Sequence, residues 1–219
     1  MAHSKIVLAS LLLFFVGAAR ADLAPMPNDP NAKLKTEKSI TIVALGDSLT
    51  EGYGIEKSKA YPTLVEAKLR AEGKKVTVIN AGVSGSTTAS APGRVKWLLK
   101  NKPDVIFLAL GSNDGLRGVD VATTKKNLKT AIDLAKQNHI QVWLAGALLP
   151  PNYGPQQTAA FKKLFSDLAK EENLPFMPFL LEGVATVQDL NQTDMIHPNE
   201  KGHAILADQV ADFFRKNWP

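Results

Sequence analysis

Short apolar runs of β-prone residues alternate with segments of helical periodicity after residue 39. Five runs predict strands, and these are Ile40–Leu45, Val76–Asn80, Val105–Leu110, Gln141–Ala147 and Pro175–Phe179. The segments with a helical period are Tyr61–Glu72, Arg94–Asn101, Val121–Asn138, Gln156–Glu172 and Asn199–Asn217. Strands that alternate with helices in this way predict a parallel sheet joined by right-handed crossovers.

The predicted strands are almost continuously apolar, as expected when helices cover both faces of a sheet. We therefore expect an α/β fold over residues 39–219: a three-layer α/β/α, flavodoxin-like domain with a five-stranded parallel sheet. In such sheets, ligands bind in the crevice outside the carboxyl ends of the strands. Polar residues that directly follow a strand are therefore the candidates for chemistry.

The first 38 residues have a different pattern. Lys5 precedes the apolar stretch Ile6–Val16, and small residues end at Ala21, which is typical of a secretory signal peptide over residues 1–21. The apolar part is shorter than the ~20 residues that a membrane-spanning helix needs, although an uncleaved anchor is the alternative. We expect residues 22–38 to be an exposed lead-in, no stable membrane anchor, and a periplasmic or secreted protein.

Composition narrows the function classes. The net charge is +5, and loss of Lys5 and Arg20 would leave +3. The basic residues are scattered rather than interleaved with aromatic ones, so we expect no nucleic-acid partner. Cysteine is absent, which excludes disulfides, thiolate metal sites and a lipoprotein anchor. We expect no metal and no other cofactor, because neither metal-ligand spacing nor a phosphate-cradling loop with its lysine occurs.

Ser48 is the candidate nucleophile. It follows the first predicted strand in the sequence Gly-Asp-Ser-Leu at positions 46–49, where the apolar run breaks. A serine hydroxyl needs a base within hydrogen-bond reach, and the end of a strand exposes it at the edge of the sheet. The alternative is that Ser48 only caps the following helix.

His197 is the candidate base, and Asp194 is the candidate residue that orients it. A carboxylate that accepts from Nδ1–H fixes the tautomer and leaves Nε2 to take the serine proton. The two residues are three positions apart, which is close enough for a local contact. The alternative is that Asp194 or Asn199 caps the last helix and that His197 is a packed surface residue.

Candidates for an oxyanion hole follow two other strands. Asn113 comes after the third predicted strand, and its amide can donate to an oxyanion, unless it is only a turn residue. A second donor is a glycine N–H, since glycine permits close approach. Spacing leaves Gly82 and Gly85 open for this role.

Together these residues resemble the SGNH (GDSL) hydrolase family, within it the bacterial thioesterase, lysophospholipase and arylesterase group. The matching blocks are Gly-Asp-Ser-Leu at 46–49, Gly-Ser-Asn-Asp at 111–114 and Asp-Met-Ile-His at 194–197. The resemblance covers residues 40–217. It implies a Ser48–His197–Asp194 triad, an oxyanion hole of Ser48, Gly85 and Asn113, and a cofactor-free reaction. It favours Gly85 over Gly82 through the Ser-Gly-Ser-Thr setting at 84–87.

The resemblance also implies a substrate class. In that group, loops equivalent to those around Leu116 and around Leu148–Gly154 line an acyl crevice, so we expect Leu116, Leu149, Pro150 and Tyr153 to bind the substrate. We expect a monomer that hydrolyses small-molecule acyl esters or thioesters. The alternatives are a carbohydrate O-deacetylase of the same family, an inactive ester- or lipid-binding protein, and a flavodoxin-like cofactor binder, in which the serine and histidine would have no role.

Overall fold

The structure of the chain, a computed structural model, describes residue 1 and residues 39–219. The predicted signal peptide and lead-in lie outside the described residues, apart from residue 1. Five parallel strands form one sheet in the order β2-β1-β3-β4-β5, and the compact unit that contains them is Glu37–Pro219. The strands are β1 (Ile40–Gly46), β2 (Val76–Gly82), β3 (Val105–Ala109), β4 (Gln141–Ala145) and β5 (Phe176–Met177).

Helices connect the strands and cover the sheet. The α-helices are α1 (Ser48–Glu51), α2 (Tyr61–Ala71), α3 (Ala91–Leu98), α4 (Ser112–Leu116), α5 (Val121–Gln137), α6 (Pro155–Glu171) and α7 (Glu200–Lys216). Short 3₁₀ turns lie at Lys57–Lys59, Thr88–Ser90, Leu99–Asn101, Pro151–Tyr153 and Gln188–Leu190. The five predicted helices are confirmed, while the short helices α1 and α4 were not predicted.

Two separate apolar cores lie on the two faces of the sheet. Successive strand residues point to opposite faces, so Val43 packs with α3, α5 and α6, whereas Ile42 packs with α2 and α7. Continuous apolar strands are needed because both faces are buried. The predicted three-layer α/β/α architecture is confirmed, and the observed strand order is that of flavodoxin-like folds.

The carboxyl ends of β1, β2 and β3 are level. Gly46 at the end of β1 pairs with Gly82 of β2 and with Ala109 of β3. Residues that follow these strands therefore meet at one edge of the sheet. This register is the reason that sequence positions 48, 85 and 113 are close in space.

α1 lies directly on the ends of β1 and β2. A Cβ atom added at Gly46 would lie 2.5 Å from Thr50 Cβ, and one added at Gly82 would lie 2.5 Å from Glu51 Cα. Both distances are too short for real carbon atoms. Glycine at these two positions thus allows the helix that starts at Ser48 to sit against the sheet.

Most predicted elements match the observed ones to within two residues at each end, but α3 is shifted and β5 is less than half as long as predicted. β5 is two residues long rather than Pro175–Phe179, because Pro175 and Pro178 have no N–H to donate to a ladder. α3 begins at Ala91 rather than Arg94, since a proline fits its first turn, and its predicted end tightens into a 3₁₀ turn. Within residues 39–219, each helix is too short or too polar to cross a membrane.

Candidate active site

Ser48 is the first residue of α1, immediately beyond β1. The cap of this helix is Asp47, whose Oδ1 accepts from the Leu49 N–H at 3.0 Å. The alternative in which Ser48 serves as the cap is therefore wrong, and its hydroxyl is available for another contact. Its own N–H is one of the first-turn donors that have no partner within a helix.

His197 joins Ser48 to Asp194. His197 Nε2 lies 2.9 Å from Ser48 Oγ, and its Nδ1 lies 2.7 Å from Asp194 Oδ2. A carboxylate can only accept, so Nδ1 carries the proton and Nε2 accepts from the serine hydroxyl. The helix cap that was the alternative role for Asp194 belongs instead to Asn199, whose side chain accepts from Lys201 and Gly202 at the start of α7.

The charge of Asp194 is stabilised by nearby donors. Its Oδ1 accepts from the backbone N–H groups of His197 at 3.0 Å and Ile196 at 2.9 Å. The His197 N–H, followed by the His197 ring, lowers the pKa of Asp194 to about 2. Asp194 is therefore ionised wherever the protein is folded at ordinary pH, and it holds the histidine in one tautomer.

Tyr53 packs against the histidine, a contact that was not predicted from the sequence. The two ring centroids are 4.8 Å apart at an angle of 43°. Gln192 fixes this arrangement, because its Nε2 donates to the Tyr53 carbonyl at 2.7 Å and its N–H donates to the His197 carbonyl at 2.8 Å. The imidazole is thus held by packing as well as by its two hydrogen bonds.

Asn113 lies in α4, and its side-chain amide is oriented by the turn that contains Ser86. Asn113 Nδ2 donates to the Ser86 carbonyl at 3.0 Å and lies 3.5 Å from Asp47 Oδ2. One amide N–H is therefore committed to Ser86. The other has only the long contact with Asp47, and Asn113 and Ser48 line the same crevice.

The two candidate glycines differ in what their N–H groups do. Gly82 is the last residue of β2, and its N–H donates to Asn80 Oδ1 at 2.9 Å. Gly85 lies in an exposed turn with φ +75° and immediately precedes Ser86, the residue that Asn113 contacts. Gly85 is accordingly the better candidate for a donor beside Asn113.

Asp47 is a buried carboxyl group that sequence reasoning treated only as part of a motif. Its side chain is 1% exposed, and burial raises its pKa to about 6 from an ordinary value of 3.8. The Leu49 N–H and the charges of His197 and Arg94 oppose this rise. An aspartate directly before a helix is a helix-cap signal, and that signal could have identified its role, although the sequence analysis offered Ser48 as the cap.

A second buried polar group lies behind α1. His203 of α7 is 1% exposed, and its Nδ1 accepts from the Tyr61 N–H at 3.2 Å. Tyr61 in turn shares a hydrogen bond of 2.9 Å with the Thr50 hydroxyl. Burial, aided by the charge of His197, lowers the pKa of His203 to about 4, so this ring packs in its neutral form.

An apolar crevice of about 540 Å³ opens beside Ser48 and His197. Of the four predicted substrate contacts, Leu116, Leu149 and Pro150 line it. Tyr153 is not among its lining residues, because its hydroxyl donates to the Leu116 carbonyl at 3.1 Å and supports the wall from behind. Leu148 of the predicted loop also lines the crevice, and lining residues that were not predicted include Phe179, Leu180, Leu181, Met195 and Ile196.

A larger cleft, of about 1030 Å³, lies at the opposite edge of the sheet. Its lining includes Lys74, Lys75, Lys102 and His139, next to helix ends whose carbonyls attract positive charge. It contains no serine, so it offers no partner for an acyl-transfer base. Among residues 39–219, no group of three His, Cys, Asp or Glu side chains is arranged to hold a metal ion.

A family model described as GDSL-like lipase/acylhydrolase matches residues 44–205. The chain is 38% identical to the esterase TesA of Pseudomonas aeruginosa over 171 residues, which cover 78% of this chain and 85% of that protein. It is 35% identical to an arylesterase of Vibrio mimicus over 205 residues, covering 93% and 95% of the two chains.

Two further comparisons extend to a thioesterase and to a solved structure. Thioesterase 1/protease 1/lysophospholipase L1 of Escherichia coli K12 is 36% identical over 172 residues, covering 78% of this chain and 81% of that one. The structure superposes on the psychrotrophic esterase EstA from Pseudoalteromonas, inhibited by monoethylphosphonate, with a TM-score of 0.78 at 33% identity. That match covers 80% of this chain and 97% of EstA.

Proposed function

The chain belongs to the GDSL-like lipase/acylhydrolase family, and from that membership we propose that Ser48, His197 and Asp194 form its catalytic triad. The protein is a carboxylic ester hydrolase. The observation that carries the assignment is the line of contacts from Asp194 through both ring nitrogens of His197 to Ser48 Oγ, at 2.7 and 2.9 Å. Hydrogen bonds of this length allow proton transfer without rearrangement.

The proposed reaction is acyl transfer to water in two steps. Ser48 Oγ attacks the carbonyl carbon while His197 Nε2 takes the hydroxyl proton, and the new C–O bond leaves a tetrahedral oxyanion. His197 then gives this proton to the leaving group as the bond to it breaks. Water attacks the acyl-serine with the same histidine as base, and the acid leaves with Ser48 restored.

We assign the oxyanion hole to the N–H groups of Ser48 and Gly85 and to the Asn113 amide. The support is local: Ser48 N–H belongs to a first helical turn, Gly85 is exposed in a turn, and one Asn113 N–H has only a long contact. Each such donor typically contributes about 10²–10³ in turnover. The Gly82 N–H is already bonded to Asn80, which argues against it.

The proposed substrates are acyl esters and thioesters with an apolar acyl chain, of the aryl ester, lysophospholipid and acyl-thioester kinds. The support is the crevice of about 540 Å³ beside Ser48, whose walls include Leu116, Leu149 and Pro150. An acyl chain buried there gains roughly 0.8 kcal/mol for each CH₂ group removed from water. Carbohydrate contacts are not supported, because no tryptophan lines this crevice.

We further infer that the enzyme is exported and acts as a monomer in the periplasm or outside the cell. The support for export is the signal-peptide pattern of residues 1–21. The support for a monomer is that one chain supplies every residue of the proposed site. A periplasmic or secreted enzyme meets lipid-derived esters more readily than cytoplasmic acyl thioesters.

The experiment that tests this function is hydrolysis of p-nitrophenyl esters from acetate to palmitate by the protein and its Ser48→Ala variant. We expect activity that peaks at medium or long chains and falls at least about 10³-fold in the variant. Serine-dependent activity confined to acetate would instead identify the deacetylase. Undiminished hydrolysis by Ser48→Ala would show that the nucleophile is wrongly assigned.

A further inference from the structure

The Gly85 N–H belongs to a surface turn formed by residues 83–86. The Ser86 N–H donates to the Val83 carbonyl at 3.1 Å, and Val83, Ser84 and Gly85 are all exposed. Gly85 has φ +75°, whereas Ser84 is not among the described residues with positive φ. A negative φ followed by a positive one defines a type II turn, which glycine adopts without strain.

Glycine therefore determines which way the peptide between Ser84 and Gly85 points. In a type I turn this peptide is rotated, so the Gly85 N–H would face the opposite side. Glycine does not determine where the turn lies, because a surface turn has little packing to hold it. Its position relative to Ser48 and Asn113 depends on the side chains that reach it.

Glu51 holds the turn on the side of the nucleophile. This residue ends α1, three positions after Ser48, and its Oε2 accepts from the Ser84 N–H at 2.7 Å and also from the Ser84 hydroxyl. The Ser84 hydroxyl also lowers the pKa of Glu51, so the carboxylate remains a charged acceptor. Charged acceptors make the stronger hydrogen bonds.

Arg117 holds the turn on the side of Asn113. It directly follows α4, the helix that contains Asn113, and its Nη2 donates to the Gly85 carbonyl at 3.1 Å. The Tyr153 hydroxyl donates to the carbonyl of the preceding residue, Leu116, at 3.1 Å, so the backbone next to Arg117 is itself held in place. The peptide that carries the Gly85 N–H is thus bracketed by a contact before it and a contact after it.

We propose that Glu51 and Arg117 are positioning residues, which keep the Gly85 N–H in line with the Ser48 N–H and the Asn113 amide. This inference rests on the proposed oxyanion hole, and both residues act through Gly85 without touching substrate. A misplacement of about 1 Å can cost about 10² in rate, while loss of a donor costs about 10²–10³. Loss of either side chain's contact with the turn should therefore reduce kcat by about 10- to 100-fold.

The test is to measure kcat and KM separately with p-nitrophenyl butyrate for Arg117→Ala and Glu51→Ala. We expect kcat to fall by about 10- to 100-fold while KM changes by less than about threefold, since the interaction matters in the transition state. Arg117→Lys and Glu51→Gln should recover much of the loss, because each retains a donor or an acceptor. Exposed Lys59→Ala and Glu56→Ala are the matched controls, with no change expected.

A spectroscopic measurement separates this inference from the proposed function. In the Ser48→Ala background, the Gly85 amide resonance should shift or broaden when Arg117 or Glu51 is replaced by alanine, with thermal stability checked in each variant. An unchanged Gly85 amide, unchanged kcat, or a rise in KM alone would overturn the positioning role. Activity that survives Ser48→Ala would overturn the nucleophile without altering the amide result.

Discussion

Asp47 and Asp194 lie near the same serine–histidine pair but in opposite surroundings. The Asp47 side chain, at the start of α1, is 1% exposed, and burial raises its pKa to about 6. The Asp194 side chain, in the loop before α7, is 39% exposed, and the donors around it lower its pKa to about 2. Two identical side chains a short distance apart are thus pushed in opposite directions by their neighbours.

The difference shows what a histidine-orienting carboxylate requires. Asp194 accepts from the N–H groups of Ile196 and His197 and from the His197 ring, and these donors favour its charged form. Asp47 is buried and accepts from the Leu49 N–H, and this hydrogen bond is too little to offset burial. Residue type and proximity do not decide the role; the degree of burial and the number of donors do.

The largest effect should come from removing the negative charge of Asp194. Asp194→Asn keeps an oxygen acceptor for the backbone N–H groups, but its Nδ2, a donor, then faces His197 Nδ1 and favours the wrong tautomer. We expect kcat to fall by about 10²–10⁴-fold, measured with p-nitrophenyl butyrate. Asp189→Asn, at an exposed position earlier in the same segment, is the control and should leave kcat unchanged. A kcat within twofold of wild type in Asp194→Asn would contradict the orienting role.

A smaller, pH-dependent effect should come from Asp47→Asn. The asparagine still caps α1 through its carbonyl oxygen, but it lacks the negative charge that favours the imidazolium formed on His197. At pH 8 we expect kcat to fall about three- to tenfold. Below pH 6 the wild-type carboxyl is itself protonated, so the two proteins should converge. A ratio that stays constant from pH 5 to 8 would show that the charge of Asp47 has no part in turnover.

The smallest net effect is on the stability of the wild-type protein, where Asp47 and His203 act in opposite directions. The raised pKa of Asp47 stabilises the folded state at low pH, and this contribution is lost as the pH rises towards about 6. The lowered pKa of His203 stabilises it at high pH, and this contribution is lost as the pH falls from 6.5 towards about 4. Each changes by about 2 kcal/mol between pH 7 and 4.5, so they nearly cancel.

Urea unfolding at pH 7 and 4.5 separates the two contributions. His203→Asn keeps an acceptor for the Tyr61 N–H and removes the group that resists protonation. On acidification this variant should gain about 2 kcal/mol relative to wild type, whereas Asp47→Asn should lose about 2 kcal/mol relative to it. Parallel changes in all three proteins would mean that neither group titrates differently on folding.

Sequence alone was sufficient for the sheet and the five longer helices, and it proposed the main site candidates. Periodicity identifies those elements because both faces of the sheet are buried by helices with one apolar side. Parallel strands deliver Ser48 and Asn113 to one edge, and the resemblance favoured the same residues. The prediction of Gly85 over Gly82 is supported by the hydrogen bond that already occupies the Gly82 N–H.

The remaining features depend on contacts between residues distant in sequence. Tyr53 reaches His197, Arg117 reaches Gly85, and Tyr153 supports Leu116 instead of lining the crevice. None of these contacts leaves a periodic signal, because a loop side chain is placed by its partner and not by its own segment. The length of β5 was overestimated for a local reason, since its flanking prolines end the hydrogen-bonded ladder.

The positions beneath α1 and the positions of the crevice wall differ in how much substitution they tolerate during evolution. Even alanine at Gly46 or Gly82 would place a carbon 2.5 Å from an atom of α1, so the smallest possible mutation displaces the nucleophile. The crevice wall has no such restriction, because Leu116 and Leu148 are 38% and 36% exposed. Single substitutions in these loops can therefore change substrate preference. Substitutions at the two glycines, by contrast, would move the nucleophile and impair hydrolysis of every substrate.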